Sequence, residues 1–358
     1  MKKRIFALML AMVLALSACG GAAEQSTSEP AKEPAAAPET EVKEEAKPAE
    51  PAEPVELIEI NMGHDLNVGW PSQIACKNFA DAVNERLDGQ VKITLYEKSL
   101  GNEKALSESI QIGTVDMVCL IGGNYGYIMP ELELMSMTYL FKDVDEAEKG
   151  WTSDVAQELY DRMADEYGVR IIAPFLYYGA RHLTANKPVV TPEDMKGLKV
   201  RVPLVAIQQA GMEAMGASAT PVDFGELYMA LKTGIVDGQE NPVSTIMEGK
   251  FDEVQKYIMP TAHIIAICPI AIREEVWQKL TKEQQDVILE LADVAAKECT
   301  QLQIDMEATA FEELEARGME IVQPDIDAMM AGMTDMYAEY DAKYDNLLSK
   351  LQEAATAE

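Results

Sequence analysis

The chain has 358 residues, with 30 lysines and arginines against 61 aspartates and glutamates, for a formal net charge of -31. A field of that sign excludes nucleic acid and anionic lipid as natural partners. It also repels anionic ligands at long range, so any anion site has to be local and well built.

Lys2, Lys3 and Arg4 form a basic head, and Ile5 to Leu16 is an apolar run. The run is too short for a bilayer, which takes about 20 residues, and reads as an export signal. It ends in Leu16-Ser17-Ala18-Cys19-Gly20, which resembles a bacterial lipobox. That resemblance implies a signal peptide over 1–18 and a diacylated Cys19 as the mature N-terminus. Each buried methylene contributes about 0.8 kcal/mol, so several acyl chains together anchor stably. Residues 19–55 are rich in Pro, Ala and Glu, with almost no large apolar side chain. Such a stretch cannot bury enough surface to offset ordering entropy. It is expected to be a disordered acidic tether, kept extended by like charge and proline.

The length remaining from Glu56 suits two lobes better than one core. Leu57 to Met62 alternates as a first strand. Ile74 to Leu87 has Ala75, Phe79, Val83 and Leu87 at helical spacing, then Gly89 as a stop. Val91 to Tyr96 alternates strongly, Glu103 to Ile112 reads as a helix closed by Gly113, and Val115 to Ile121 as a buried strand. This is the βαβ rhythm of a parallel sheet. It recurs in a strand over Ala217 to Val222, a helix over Gly225 to Lys232 and a strand over Ile235 to Gln239. Ile110-x-x-Gly113-Thr114-Val115-Asp116 echoes Leu231-x-x-Gly234-Ile235-Val236-Asp237. Between the two lie strand-like Val169 to Phe175, a crossing near Tyr178-Gly179, strand-like His182 to Thr184, a helix start at Pro192 and a short strand over Lys199 to Val202. Thr281-x-x-Gln284 suits a capping box for a helix reaching about Ala316, and Pro324-Asp325 opens a further helical stretch to about Leu351.

Cys76, Cys119, Cys268 and Cys299 are widely spaced and form no metal pattern. His64, His182 and His263 sit in no triad or metal spacing. Neither a metal nor a cofactor is called for, and no nucleophile elbow marks an enzyme.

Arginine carries the chemistry. Arg201 stands in Lys199-Val200-Arg201-Val202-Pro203. On a strand, Val200 and Val202 face one way and Arg201 the other. Pro203 ends pairing, so Arg201 lies at the carboxyl end of its strand, where ligands collect in α/β sheets. A guanidinium is planar, always charged, and grips a carboxylate through two parallel hydrogen bonds. Arg181 follows the small pair Gly179-Ala180. An ion pair at the surface or between lobes is the other use of either arginine. Gly63-His64-Asp65 follows the first strand, and Ile121-Gly122-Gly123-Asn124 the third. Gly122 allows close approach or merely turns the chain, while His64 and Asn124 can read a hydroxyl or a second carboxylate. Trp70 and Tyr178 line a cleft or fill a core.

Four segments appear in a telling order: Gly179-Ala180-Arg181-His182-Leu183-Thr184, Lys196 to Pro203, Thr220-Pro221-Val222-Asp223-Phe224-Gly225-Glu226, and Thr233 to Pro242. The set closely resembles the solute-binding proteins of TRAP-type transporters, tripartite carriers that import organic acids on an ion gradient. The resemblance covers most of Glu56 to about Met319 and is most specific from Gly179 to Tyr257. It implies an α/β, two-lobed periplasmic-binding-protein-like fold, with a ligand cleft between lobes and a long C-terminal helical region. One long helix would brace both lobes. Lobe I would take 56–178, with about 267–306 returning to it. Lobe II would take 179–266, with about 307–358 packing on it. The resemblance makes Arg201 the strand arginine that holds the ligand carboxylate and Arg181 a second arginine. It makes Asn241, in Gln239-Glu240-Asn241-Pro242, a side-chain hydrogen-bond partner, and Phe224 an aromatic that packs on the ligand. Some relatives place a ligand-contacting acid where this chain has Gly122-Gly123. Implied partners are a small organic acid (a dicarboxylate, a sugar acid, or a keto or hydroxy acid), the small and large permease subunits, and the membrane through the lipid anchor. The protein would then sit on the outer face of the cytoplasmic membrane, or in the periplasm. A ligand-presenting sensory protein and an exported enzyme are the competing classes.

Overall fold

The computed structural model describes residues 57–357. Cys19, the export signal and the tether lie outside the described residues.

The first lobe opens with β1 (Ile58–His64), α1 (Pro71–Arg86), β2 (Val91–Glu97), α2 (Glu103–Ile112) and β3 (Met117–Cys119). Pro71 starts α1, whose Ala75, Cys76, Phe79, Ala80 and Val83 are buried. Asn102 caps α2 by accepting from the Ala105 N–H, and Gly113 closes it at φ 80°. Two 3-10 turns follow, then α3 (Val144–Trp151), α4 (Asp154–Tyr167) and β4 (Val169–Ala173). The second lobe holds β5 (Tyr177–Ala185), α5 (Pro192–Met195), β6 (Lys199–Val202), α6 (Ala206–Ala214) and β7 (Ser218–Pro221). It continues with α7 (Leu227–Thr233), β8 (Gly238–Pro242), α8 (Val243–Glu248) and β9 (Tyr257–Ile267). The chain re-enters the first sheet as β10 (Ile270–Arg273), then forms α9 (Glu274–Trp277), α10 (Lys282–Ala316), β11 (Glu320–Ile321), α11 (Ile326–Ala331), α12 (Thr334–Lys343) and α13 (Leu347–Thr356).

The strand orders are β2-β1-β3-β10-β4 and β11-β9-β5-β8-β6-β7. Both sheets are mixed, where the βαβ rhythm led us to expect parallel ones. β1 is parallel to β2 and β3, but β10 runs antiparallel between β3 and β4. β5 runs antiparallel to β8 and β9, and β6 parallel to β7 and β8. The reason is the pair of crossings. β4 passes into β5, and β9 into β10, each after a few residues, and the two segments travel in opposite directions.

Two further differences are local. The strand expected over Ile235 to Gln239 begins later, at Gly238, because Gly234 closes α7 at φ 72° and the Asp237 carboxylate turns back to the Lys199 N–H (2.9 Å). The single helical stretch expected to Leu351 is broken into α11, α12 and α13, where Gly332 ends the first helix and Asp345 and Asn346 take left-handed φ of 51° and 60°.

α10 is 35 residues long, or about 50 Å at 1.5 Å per residue. The Thr281–Gln284 capping box starts it. It packs on α1 in the first lobe and on α8 in the second. Between them it ties down the β4–β5 crossing. The Glu307 carboxylate accepts from the Tyr177 hydroxyl (2.8 Å) and the Ala180 N–H (3.1 Å). Gly179, at φ 131°, makes this approach possible, since an added Cβ would lie 2.6 Å from the Pro242 side chain and 2.8 Å from Gln303 Nε2. α13 packs on α3 and α4 rather than over the second sheet, and α12 reaches α6. Cys76, Cys119, Cys268 and Cys299 are buried and unpaired in the core beneath α1 and α10.

Candidate functional site

The carboxyl ends of β1, β3 and β6 meet over a cleft between the lobes. One cavity of about 60 Å³ is lined by both lobes, and another of about 50 Å³ shares Asp65, Glu103, Arg201, Pro203 and Phe224 with it.

On the second-lobe wall, Arg201 sits in β6, between Val200 and Val202, which are fully buried in the core. Its own side chain is only 3% exposed. Nε donates to the Val222 carbonyl (2.8 Å), and the guanidinium lies 5.9 Å from the Phe224 ring centre. Every other arginine among the described residues has a carboxylate partner; Arg201 has none. Burial without a counterion pulls its pKa down to about 10.

Arg181, on β5, lines the same cavity in a different state. Its Nε and Nη2 grip the Glu240 carboxylate at 2.5 and 2.8 Å, and Nη2 also donates to the Glu240 carbonyl. His263 Nε2 lies 3.2 Å from the same carboxylate. Burial pushes the Glu240 carboxyl up, but the Arg181 charge and these hydrogen bonds outweigh it and hold the group at about 2. Asn241, on β8, also lines the cavity and donates to Gln239 Oε1 (2.6 Å). Phe224 stands edge-on to Trp70 of the opposite lobe, with ring centres 5.9 Å apart.

The first-lobe wall is acidic. Asp65 and Glu103 line both cavities. Glu103 is the first residue of α2, and its oxygens accept from the Ile121 N–H (2.8 Å) and Asn124 Nδ2 (2.5 Å). Enclosure by protein pushes its carboxyl up to about 8, against the pull of the Ile121 N–H. Burial also raises Asp65, against the Lys98 charge 3.8 Å away. Trp70 is 4% exposed and lines the cleft, yet its indole N–H has no partner.

Across the mouth, Asn102 Nδ2 donates to Asp223 Oδ2 (2.8 Å), and the Tyr127 hydroxyl bonds the Leu204 carbonyl. The first pair joins two helix caps. Asn102 Oδ1 caps α2, while Asp223 Oδ1 accepts from the Gly225 N–H at the 3-10 turn leading into α7.

Of the residues expected at the site, Arg201, Arg181, Asn241, Phe224 and Asn124 come together here. His64 is buried beside it. Its Nδ1 accepts from the Leu66 N–H, its Nε2 has no partner, and burial lowers it to about 4, so the ring is neutral at pH 7. Gly122 is buried but lies outside the cavity lining; its missing side chain makes room for Trp151, whose ring would lie 2.5 Å from an added Cβ. Glu103, Asn102 and Asp223 were not anticipated. The signals for them were a helix-start Asn-Glu after Gly101, and an aspartate just before Phe224. A larger hollow, about 650 Å³, lies at the start of β1, but its Arg273 and Asp116 already pair at 3.5 Å.

A model of the bacterial extracellular solute-binding proteins, family 7 (DctP), matches residues 62–343. The sialic acid-binding periplasmic protein SiaP of Vibrio cholerae is 33% identical over 294 residues, 82% of this chain and 91% of that protein. The 2,3-diketo-L-gulonate-binding periplasmic protein YiaO of Escherichia coli is 28% identical over 265 residues, 74% of this chain and 80% of that one. A TRAP periplasmic solute-binding protein of Polaromonas bound to D-erythronate matches with a TM-score of 0.78 at 28% identity, covering 84% of this chain and 99% of that one. One from Haemophilus influenzae with bound L-gulonate gives 0.77 at 28%, covering 84% and 100%. Such proteins work outside the cytoplasm and bind their solute without transforming it. By family model, sequence and fold together, the chain belongs to the family 7 extracellular solute-binding proteins of TRAP transporters.

Proposed function

We propose that this protein closes its two lobes over an organic acid, with Arg201 holding the carboxylate, and delivers it to the two membrane subunits of a TRAP permease from a lipid anchor at Cys19. The observation that carries the reading is the buried guanidinium of Arg201, which lacks any acid partner among the described residues. A buried charge is tolerated when it is paired, and a ligand carboxylate supplies the missing partner.

Asn241 and Phe224 would flank that carboxylate, and Arg181, already neutralised by Glu240, would stiffen the wall. Each hydrogen bond to a charged group contributes about 1.5–3 kcal/mol. Two or three, with aromatic burial, reach micromolar affinity, about -8 kcal/mol, after association costs. Relatives point the same way: the names of SiaP and YiaO and the bound D-erythronate and L-gulonate all denote carboxylic acids. The two strand crossings and α10 are the natural hinge.

The test is a thermal-shift screen of the purified protein against carboxylic acids, repeated with Arg201→Ala. A ligand at a hundred times its Kd adds about 2.7 kcal/mol of stability. A shift for one acid class, lost in a folded Arg201→Ala, supports the reading; a shift that survives the substitution sinks it. Delivery requires that acid uptake into vesicles need this protein and both membrane subunits. The anchor requires that Cys19→Ser release the protein from membranes.

A further inference from the structure

We infer that Cys268 and Cys299 are a redox modification site at the hinge, closing to a disulfide that ties the strand crossings to α10. What the bond does to lobe movement rests on the lobe-closure reading; its formation does not.

Four thiols with no part in the cleft lie together in one core, and all are fully buried. They come from α1, the end of β3, the β9–β10 crossing and α10. Cys119 is within hydrogen-bond reach of Cys76 and Cys268, and Cys268 of Cys299. The thiols thus stand in a row and not around a point. No three such donors among the described residues are placed to hold a metal ion, so a row of this kind favours pairing.

The backbone selects the pair. Cys119 faces Ile270 across the antiparallel β3–β10 ladder, and the Leu120 N–H to Pro269 carbonyl bond (3.4 Å) continues it. Cys268 is therefore a diagonal neighbour of Cys119, and such neighbours lie about 7–8 Å apart. A disulfide spans at most about 6.8 Å between Cα atoms. Cys299 is held by no ladder; it is the middle residue of α10 (Lys282–Ala316). Cys76 and Cys119 are the remaining neighbours, and a link between them would stay within the first lobe.

Both sulfurs of the chosen pair already hold the β4–β5 crossing. Cys268 Sγ donates to the Leu176 carbonyl (3.5 Å) and Cys299 Sγ to the Tyr177 carbonyl (3.4 Å). The Cys268 N–H bonds Leu176 as well (2.9 Å), so the two crossings touch at this level. A bond from Cys268 to Cys299 would join the second crossing to the middle of the helix that packs on both lobes. Lobe movement requires these segments to shift against one another, and the link removes part of that freedom.

The co-reactant is a disulfide. A hollow of about 380 Å³ lies against the first crossing, lined by Pro174 and Phe175 and by Ala296, Lys297 and Thr300 of α10. It brings a small molecule to the residue next to Cys299. Burial raises the Cys268 thiol, but the hydrogen bonds that its thiolate accepts from Cys119 and Cys299 outweigh this and lower it. Donating to Cys268 raises the other two. Cys268 is therefore the attacking sulfur. It attacks one sulfur of the incoming disulfide and expels one thiol. Cys299 then attacks the Cys268 sulfur of the mixed disulfide and expels the second. The two cysteine protons leave on the two expelled thiols, and the incoming disulfide is the species reduced.

The experiment incubates the purified, reduced protein with the small disulfide cystamine, with circular dichroism showing that it stays folded. Peptide mapping by mass spectrometry without reduction follows. The expected result is a Cys268–Cys299 link, kept in Cys119→Ser and lost in both Cys299→Ser and Cys299→Ala. Hydrogen exchange then reports the lobes. Backbone amides at the cleft mouth, in 102–105 and 223–226, should exchange about fivefold more slowly in the oxidised protein, and dithiothreitol should restore the rate. Four free thiols, a mixed disulfide that goes no further, or a link from Cys119 to Cys268 overturns the site. A Cys268–Cys299 link that leaves the mouth exchanging as before overturns its place in the hinge. No ligand enters either arm, so these outcomes stand apart from the Arg201 test.

Discussion

Arg181 and Arg201 line one cavity from the strands on either side of β8, and their surroundings differ in kind. Arg181 lies in a finished network: Glu240 takes two of its hydrogen bonds and His263 approaches the same carboxylate. Arg201 is almost as buried, yet its one hydrogen bond from the guanidinium goes to a carbonyl. The first arginine is completed by the fold; the second is left for something that is not part of the chain. The two pKa directions follow. Arg181 is raised, its burial outweighed by Glu240, while Arg201 is lowered, with burial dominant. Sequence chemistry cannot tell such arginines apart, because the difference lies in which acids the fold brings near each.

The largest expected effect breaks the finished side. Glu240→Ala leaves Arg181 buried without its counterion, and breaking a buried pair in this way costs about 3–5 kcal/mol. Urea unfolding without ligand measures it. Removing Arg201 should do the opposite to the two properties: Arg201→Ala should lower unliganded stability by less than about 1 kcal/mol, because no ion pair is lost. It should weaken ligand binding at least a hundredfold, or about 2.7 kcal/mol. Equal stability losses in the two variants would mean that Arg201 is structural after all.

Parts of this contrast were legible in the sequence. The strand Lys199–Val202 and the helix from the Thr281 box to Ala316 stand where propensity and capping put them. Arg201 was marked by its strand position and the proline after it. A return to the first lobe at about 267 was expected from the resemblance, but the residues themselves did not mark the strands β9 and β10. β9 is buried along most of its length on both faces, so no alternation betrays it, and it contains Pro260 and a positive φ of 42° at Ala262. α4 carried a signal that went unread, Ser153 at the cap followed by Ala156, Leu159, Tyr160 and Met163 at helical spacing. The acidic wall was hard to read for another reason: among 61 acidic residues, Asp65 carries no mark of its own, and the Asn102-Glu103 helix start marks a cap and not a cleft. Only the fold sets them opposite Arg201.

The acidic wall yields a pH test. Glu103 has its folded pKa raised to about 8 from an ordinary 4.5. Below pH 4.5 both folded and unfolded chains hold the proton, and the group contributes nothing. Between 4.5 and 8 the unfolded chain releases its proton while the folded one keeps it, so stability falls as pH rises. Glu103→Gln does not titrate. Its stability relative to the parent should therefore climb between pH 5 and 8.5, by about 2 kcal/mol once screening through the open cleft is allowed for. Any packing loss from the substitution is the same at both pH values and drops out of the difference. A difference that stays flat with pH would mean that Glu103 titrates as an ordinary carboxyl.

The smallest expected effect concerns the mouth, where the walls meet through Asn102 and Asp223. Each side chain uses one oxygen to cap its own helical turn and its other atom to reach across. Aspartate and asparagine cap about equally well, so the bridge can be changed while the caps remain. Asn102→Asp sets two carboxylates face to face and should open the closed form. Ligand dissociation should quicken about tenfold, near 1.4 kcal/mol, with little change in unliganded stability. Asp223→Asn should cost less, because one amide can turn to offer its oxygen. The double exchange restores a donor facing an acceptor with the roles reversed, and dissociation should return to within about twofold of the parent. A double variant as fast as the sum of the singles would show that the pair is two helix caps that happen to touch. Recovery would show that the lobes are held shut by contacts of their own, so that part of the closing energy comes from the protein and only the remainder from the acid on Arg201.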